Sequence, residues 1–421
     1  MVRLTAILAL AGGACSSSPS SDTASTASPS ATTIATTSPV SPTTTASTSI
    51  PASTSTSTST STSASAATTV PTSAAAAAYT NAGPHPVGVT TLQLAKGAKV
   101  EVWYPAVAGT TGTETYDVRD FTPDAIRKIL TADIPAGYSY AAGRDAAVAD
   151  GTFPVVLFSH GFTGIRVQST FLTSHLASWG MIVAAPDHRS RDLFDVLGGT
   201  ASGDRADSVD DLLKTFELVI GDGKLAPHAD ASKVAAVGHS AGGGTVLGAA
   251  LDPRVKGYVS LASGAFLGDG GASTGATPTA TSILPAKPSF FVGGSVDGVV
   301  PFATVTKPAY ESAPSPSLSW EVDGVGHNGF DDFCTFGNGT GVIGIAEASG
   351  LGGLLDAQPQ LRTLGQDGCI PPAVPVTTTF PIIRHAVTAW LRNLFGADPS
   401  PVGLGREVAT AYPQGVTIEA K

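Results

Sequence analysis

Apolar and polar positions divide this 421-residue chain into stretches of different pattern. From residue 16 to about 79 nearly every position is Ser, Thr, Ala or Pro, with no period that would gather one face. That segment holds too little apolar bulk to offset the entropy of ordering it. It is expected to be a disordered linker spanning residues 15–80. From Asn81 onward the pattern changes. Residues 87–94 and 100–104 alternate as antiparallel strands at a sheet edge do. Residues 154–158 (Pro-Val-Val-Leu-Phe) form a continuous apolar run, the mark of a strand buried on both faces. Runs at 181–185, 234–237, 258–261 and 290–292 are similar, and 317–322 is weaker.

Helical periodicity falls between these runs. Val209, Leu212, Leu213, Phe216, Val219 and Ile220 recur at i, i+3, i+4 and i+7. Ile383, Ala386, Val387, Trp390, Leu391 and Leu394 repeat the pattern near the carboxyl end, and Phe171, Leu172, Leu176 and Trp179 mark a third helix. Strands alternating with helices predict an α/β domain over 81–421, with a mostly parallel central sheet and helices on both faces. Ligands of such sheets bind at the carboxyl ends of the strands.

Composition narrows the function. Charged residues are 13% of the chain and the net charge is −10, which argues against a nucleic-acid partner. No apolar run approaches the roughly 20 residues of a membrane-spanning helix. Arg3, the apolar run 4–11 and the small residues Gly12, Gly13 and Ala14 read as a secretory signal over 1–14. A Cys directly after them resembles a bacterial lipoprotein cleavage site. That resemblance implies lipidation of Cys15 and membrane contact only through such an anchor. Plain secretion and a cytosolic chain are the alternatives; the first two readings place the chain in the cell envelope or outside the cell.

Chemistry-bearing residues follow four of the apolar runs. Gly238-His239-Ser240-Ala241-Gly242-Gly243 is G-x-S-x-G between a strand and a small-residue helix, the context of a nucleophile elbow. Ser159-His160-Gly161-Phe162-Thr163-Gly164 offers a loop whose Phe162 N–H, with that of Ala241, can hold an oxyanion. His160 reads as a brace for that loop. Asp297, after the run at 290–292, suits the carboxylate that orients an imidazole. Asp269, Asp323 and Asp331 are weaker candidates for that role. His327, in Gly324-Val325-Gly326-His327-Asn328-Gly329-Phe330, suits the base. His188 also follows a strand but precedes the serine. The order Ser240, Asp297, His327 is that of one triad fold. Phe162 and Phe330 are expected to flank an apolar substrate.

With His160-Gly161-Phe162, residues 179–187, Gly238-His239-Ser240-Ala241-Gly242-Gly243, Asp297 and Gly326-His327, residues 85–395 resemble the α/β-hydrolase superfamily. Within it the chain is similar to the group of dienelactone hydrolase, chlorophyllase, platelet-activating-factor acetylhydrolase and cutinase-like polyester hydrolases. The steps of 57 residues from Ser240 to Asp297 and 30 to His327 are close to those of polyester hydrolases. The resemblance implies an α/β-hydrolase fold and hydrolysis of carboxylic esters, small, lipid-like or polymeric, through an acyl-enzyme, without metal or other cofactor. Two departures from compact polyester hydrolases, a Gly/Thr/Ala/Pro-rich insert at 263–287 and about 50 residues between His327 and the last helix, are placed to cover or shape the acyl site. An exported acyltransferase using the same triad, and a non-enzymatic surface binding protein of the same fold, are the alternatives. A monomer is expected.

There are three Cys. With Cys15 lipidated, Cys334 and Cys369 remain as a pair for a disulfide, which export permits. Neither lies in a nucleophile turn, and no Cys/His cluster has zinc-ligand spacing.

Overall fold

The computed structural model describes residues 75–265 and 284–421. The expected signal, Cys15, the linker as far as residue 74, Asp269 and most of the 263–287 insert lie outside the described residues. Residues 75–80, ahead of the expected boundary at Asn81, already pack on the domain. Tyr79 is buried, and its hydroxyl donates to Asp398 Oδ2 at 2.7 Å.

Ten strands form one sheet in the order β12-β11-β10-β9-β8-β6-β7-β2-β1-β5. Its parallel centre is β6 (Phe153–Ser159), β7 (Ile182–Pro186), β8 (Ala229–His239), β9 (Val255–Leu261), β10 (Ser289–Gly294) and β11 (Ser317–Val322). β1 (Val87–Gln93) and β2 (Lys99–Pro105) are antiparallel, as their alternation predicts. The outermost strand on that side is the two-residue β5 (Gly143–Arg144). The opposite edge is β12 (Val416–Ala420), antiparallel to β11. β3 (Thr113–Asp117) and β4 (Gly137–Ala141) form a separate hairpin. None of β3, β4, β5 and β12 announces itself in the sequence, because each buries at most two of its residues.

The continuous apolar runs are explained by two cores, one on each face. On β6, Val155 and Leu157 enter one core while Val156 and Phe158 enter the other. The helices Thr170–Ser178 and Val376–Leu394 cover one face through Phe171, Leu176, Ile383 and Trp390. The helices Arg205–Gly221 and Ala241–Ala249 cover the other through Leu212, Phe216 and Val246. The 50 residues after His327 carry the short helices Phe336–Gly339, Gly341–Ala348, Gly352–Asp356 and Pro359–Gln366. A Cys334–Cys369 disulfide, with Cα atoms 5.0 Å apart, closes this segment. Among the described residues no helix is long and apolar enough to cross a membrane.

Candidate active site

Four strand ends meet at one rim. β8 stops at His239, Ser240 turns with φ 55° and ψ −122°, and the helix Ala241–Ala249 begins at the next residue. A non-glycine residue with this backbone stores roughly 1–3 kcal/mol of strain, held only because its surroundings over-determine it. The surroundings are two glycines. A Cβ at Gly238 would run into the Gly242 carbonyl oxygen, and one at Gly242 into that of Ser159. The turn lifts the Ser240 hydroxyl above the sheet and leaves the Ala241 N–H at the first helical position. That N–H and the Phe162 N–H have no hydrogen-bond partner among the described residues.

Asp297 follows β10 and His327 follows β11. His327 Nε2 lies 3.0 Å from Ser240 Oγ, and His327 Nδ1 lies 3.0 Å from Asp297 Oδ2. The second Asp297 oxygen accepts from the N–H groups of Val299 (2.9 Å) and Val300 (2.6 Å). Both Asp297 oxygens are thus engaged, with His327 placed to donate from Nδ1 and accept at Nε2. Ser240, Asp297 and His327 are buried to 9%, 5% and 1% exposure.

The loop bearing Phe162 is braced from behind. Gly161 N–H donates to Gln168 Oε1 (3.1 Å), and Thr163 N–H to the Arg191 carbonyl (2.8 Å). His160 Nδ1 lies 2.8 Å from the Gly161 oxygen, and its Nε2 accepts from the His188 N–H at 3.0 Å. Gln168 Nε2 also reaches His239 Nδ1 (3.0 Å), and His239 Nε2 reaches the His327 carbonyl (3.1 Å). Burial, the neighbouring His327 and His160 keep the His239 imidazole neutral, its pKa well below the ordinary value. A buried bracket thus ties the 161–163 loop to the loop of His327.

Asp367 is a residue that the sequence reading passed over. Its Oδ1 accepts from the His327 N–H (2.6 Å), its Oδ2 from the Gly298 N–H (2.9 Å), and its carbonyl from the Asn328 N–H (2.8 Å). One carboxylate pins the Asp297 loop and the His327 loop together. The available signal was its place two residues before Cys369, whose pairing with Cys334 brings it to the His327 loop.

Ser240 opens into a cavity of about 150 Å³. Its walls are mainly apolar and come from residues 118–130, from Leu193 and Leu197, and from 333–365. Phe162, 41% exposed, lines it. Phe330 does not. It is fully buried, stacked 6.2 Å from the His239 ring, and Phe333 takes the lining position. The misplacement follows from geometry: Phe330 ends the tight turn His327–Phe330 facing the core, and only the chain beyond it turns back over the site. Of the weaker acid candidates, Asp331 lines the cavity but does not touch His327. Burial drives its carboxyl well above the usual range. Asp323 instead lies at the β12 edge, where its N–H donates to Gly415. Among the described residues no group of three or more His, Cys, Asp or Glu is placed to hold a metal ion.

The family model of chlorophyllase matches residues 145–291, and that of platelet-activating-factor acetylhydrolase, isoform II, matches residues 72–195. Cutinase 1 of Thermobifida cellulosilytica is 28% identical over 189 residues, covering 42% of this chain and 61% of that protein. The cutinase of Thermobifida fusca (strain YX) is 28% identical over 189 residues, covering 42% and 53%. The chain therefore spans between half and two thirds of the length of these relatives. Among solved structures, ferulic acid esterase from Streptomyces cinnamoneus superposes with a TM-score of 0.58 at 23% identity, covering 80% of this chain and 97% of that one. By fold the chain is an α/β-hydrolase, and its partial sequence matches set it beside the cutinases, chlorophyllase and platelet-activating-factor acetylhydrolase.

Proposed function

We propose that this chain is an exported serine hydrolase that cleaves carboxylic esters through an acyl-enzyme on Ser240. The observation that carries the reading is the hydrogen-bonded chain Ser240–His327–Asp297, with its hydroxyl opening into an apolar cavity beside two unpartnered N–H groups. Ser240 Oγ attacks the ester carbonyl while His327 Nε2 takes its proton. The N–H groups of Ala241 and Phe162 receive the negative charge that develops on the carbonyl oxygen; one such donor contributes about 10²–10³ in rate. His327 then protonates the leaving alcohol, and Asp297 stabilises the imidazolium between the two transfers. Water activated by His327 releases the acid. The sequence matches to cutinases and the acetylhydrolase favour an ester over other acyl substrates. Export rests on the signal-like residues 1–14 and on the disulfide, which belongs to oxidising compartments. A lipid on Cys15 would tether the enzyme to a membrane.

The test is hydrolysis of short p-nitrophenyl esters together with labelling by a fluorophosphonate. Both are expected in the wild type and lost in Ser240→Ala. A Ser240→Ala chain that still hydrolyses esters overturns the reading. Product analysis with added alcohol separates water from an alcohol acceptor, the acyltransferase case.

A further inference from the structure

This inference deepens the esterase reading and rests on it. The helices after His327 do more than roof the site. Val342, Ile345, Leu355 and Leu364 wall the cavity from one side, and Ile126 and Leu130 wall it from another. The first wall is closed by a disulfide and tied at its far end to the His327 and Asp297 loops. The Cys334–Cys369 disulfide closes its base. Asp367, at the end of the helix Pro359–Gln366, grips the N–H groups of His327 and Gly298. Asn328 Nδ2 adds hydrogen bonds to the carbonyls of Leu364 (2.7 Å) and Asp367 (2.8 Å). A wall held by the same loops that carry the acid and the base cannot swing aside without disturbing them. The part of the wall at 364–369, beside Ser240, is therefore held in place.

From this geometry we infer that the site takes compact single esters, with an acyl group of at most about six carbons or one aromatic ring, and does not take polymer chains. The cavity of about 150 Å³ is the size of an apolar cavity that holds benzene. A chain laid across the protein surface would have to bring its carbonyl to a serine that is 9% exposed, past a histidine that is 1% exposed. Apart from His239, His327 and Asp331 the walls offer no acidic or basic side chain and no Lys or Arg to pair with a charged acyl group, so the acyl group is uncharged.

The experiment is kcat/KM for p-nitrophenyl esters from acetyl to hexadecanoyl, measured below their solubility limits on the full chain, with release of soluble product from polycaprolactone film in parallel. Each added methylene is expected to raise kcat/KM by up to about fourfold until the cavity is filled. Beyond about six carbons the value should fall at least tenfold by dodecanoyl, and the film should yield no product above the Ser240→Ala blank. Leu364→Ala and Leu361→Ala, at half-exposed cavity positions, should move the optimum to longer acyl groups. A rate that stays level or climbs to hexadecanoyl, or film hydrolysis that Ser240→Ala abolishes, overturns the inference while leaving the esterase reading standing. No hydrolysis of any ester, with no labelling of Ser240, removes the esterase reading itself.

Discussion

Among the described residues two Ser–His–Asp chains stand side by side in composition, and they differ in what surrounds the hydroxyl. In the first, Ser240, His327 and Asp297 are linked at 3.0 and 3.0 Å. In the second, Ser159 Oγ lies 2.9 Å from His188 Nε2, and His188 Nδ1 lies 3.2 Å from Asp211 Oδ2. By distance alone they are alike. The second chain lies wholly inside: Ser159 and His188 are fully buried, and Asp211 is 2% exposed. Ser159 is an ordinary residue of β6, with no strained turn to lift its hydroxyl. Arg191 Nη2 donates to that hydroxyl at 2.8 Å and to the His160 carbonyl at 2.9 Å, while Lys96 pairs with Asp211. The second chain is thus a polar core that stiffens the loop carrying Phe162 from beneath. A triad is defined by what surrounds its hydroxyl, namely access and unpartnered N–H groups, more than by its own hydrogen bonds.

The largest effect should come from the serines. Ser240→Ala is expected to lower kcat about 10⁶-fold, the scale on which a triad acts as a unit. Ser159→Ala should keep kcat within tenfold of wild type while lowering the melting temperature. Equal losses of kcat in the two variants, with both still folded by circular dichroism, would erase the distinction. The carboxylates should divide the same way. Asp297→Asn is expected to lose about 10⁴-fold in kcat, because His327 is no longer held with its proton on Nδ1. Asp211→Asn leaves Lys96 without its partner, and its cost should appear in urea midpoint rather than in turnover.

Much of the first chain was legible in the sequence, and little of the second. Ser240, Asp297 and His327 each follow an apolar run and sit among glycines, so periodicity and turn chemistry locate them. His188 follows a strand as well, but Asp211 lies mid-helix in a pattern that reads as a solvated face. Ser159 is one polar residue closing a strand. No local signal joins them, because their meeting depends on how the helix Arg205–Gly221 crosses the sheet. The helices of 341–366 escaped for a related reason. They are short and Gly-rich, with a face that is apolar only because it lines the cavity. The edge strand β12 has one buried residue, Val416, and so too weak an alternation to read.

A smaller effect should come from Asp367, which belongs to neither chain but fixes two members of the first. Removing its carboxylate frees the His327 and Gly298 N–H groups, and misplacing reacting groups by about 1 Å can cost 10²-fold. Asp367→Ala is expected to lower kcat by about 10–100-fold with a smaller change in KM, when rates are normalised to serines titrated by a fluorophosphonate. Asp367→Asn, which keeps one acceptor oxygen, should recover part of the loss. A variant with full turnover per titrated serine and only a lower melting temperature would make Asp367 a fold-stabilising residue alone.

The smallest effect concerns protonation of the inner chain. Burial, with Arg191 and Lys96 nearby, holds the His188 pKa well below its ordinary value. An unfolded histidine titrates near 6.5. Below that pH the unfolded chain binds a proton that the native state refuses, so stability rises with pH up to about 6.5 and falls as the pH drops beneath it. Burial displaces Asp331 and Asp332 the opposite way, Asp332 up to about 8, so they lose stability as pH rises and blur the total. The difference between two chains that share both carboxyls removes that blur. His188→Gln should be less stable than wild type at pH 7.5, and the gap in urea midpoint should narrow steadily from pH 6.5 to pH 5. Only the wild type carries the refused proton at this position. A gap that stays constant would mean that His188 is protonated in the native state, paired as an imidazolium with Asp211, and the inner chain would then be an ion pair rather than a neutral relay.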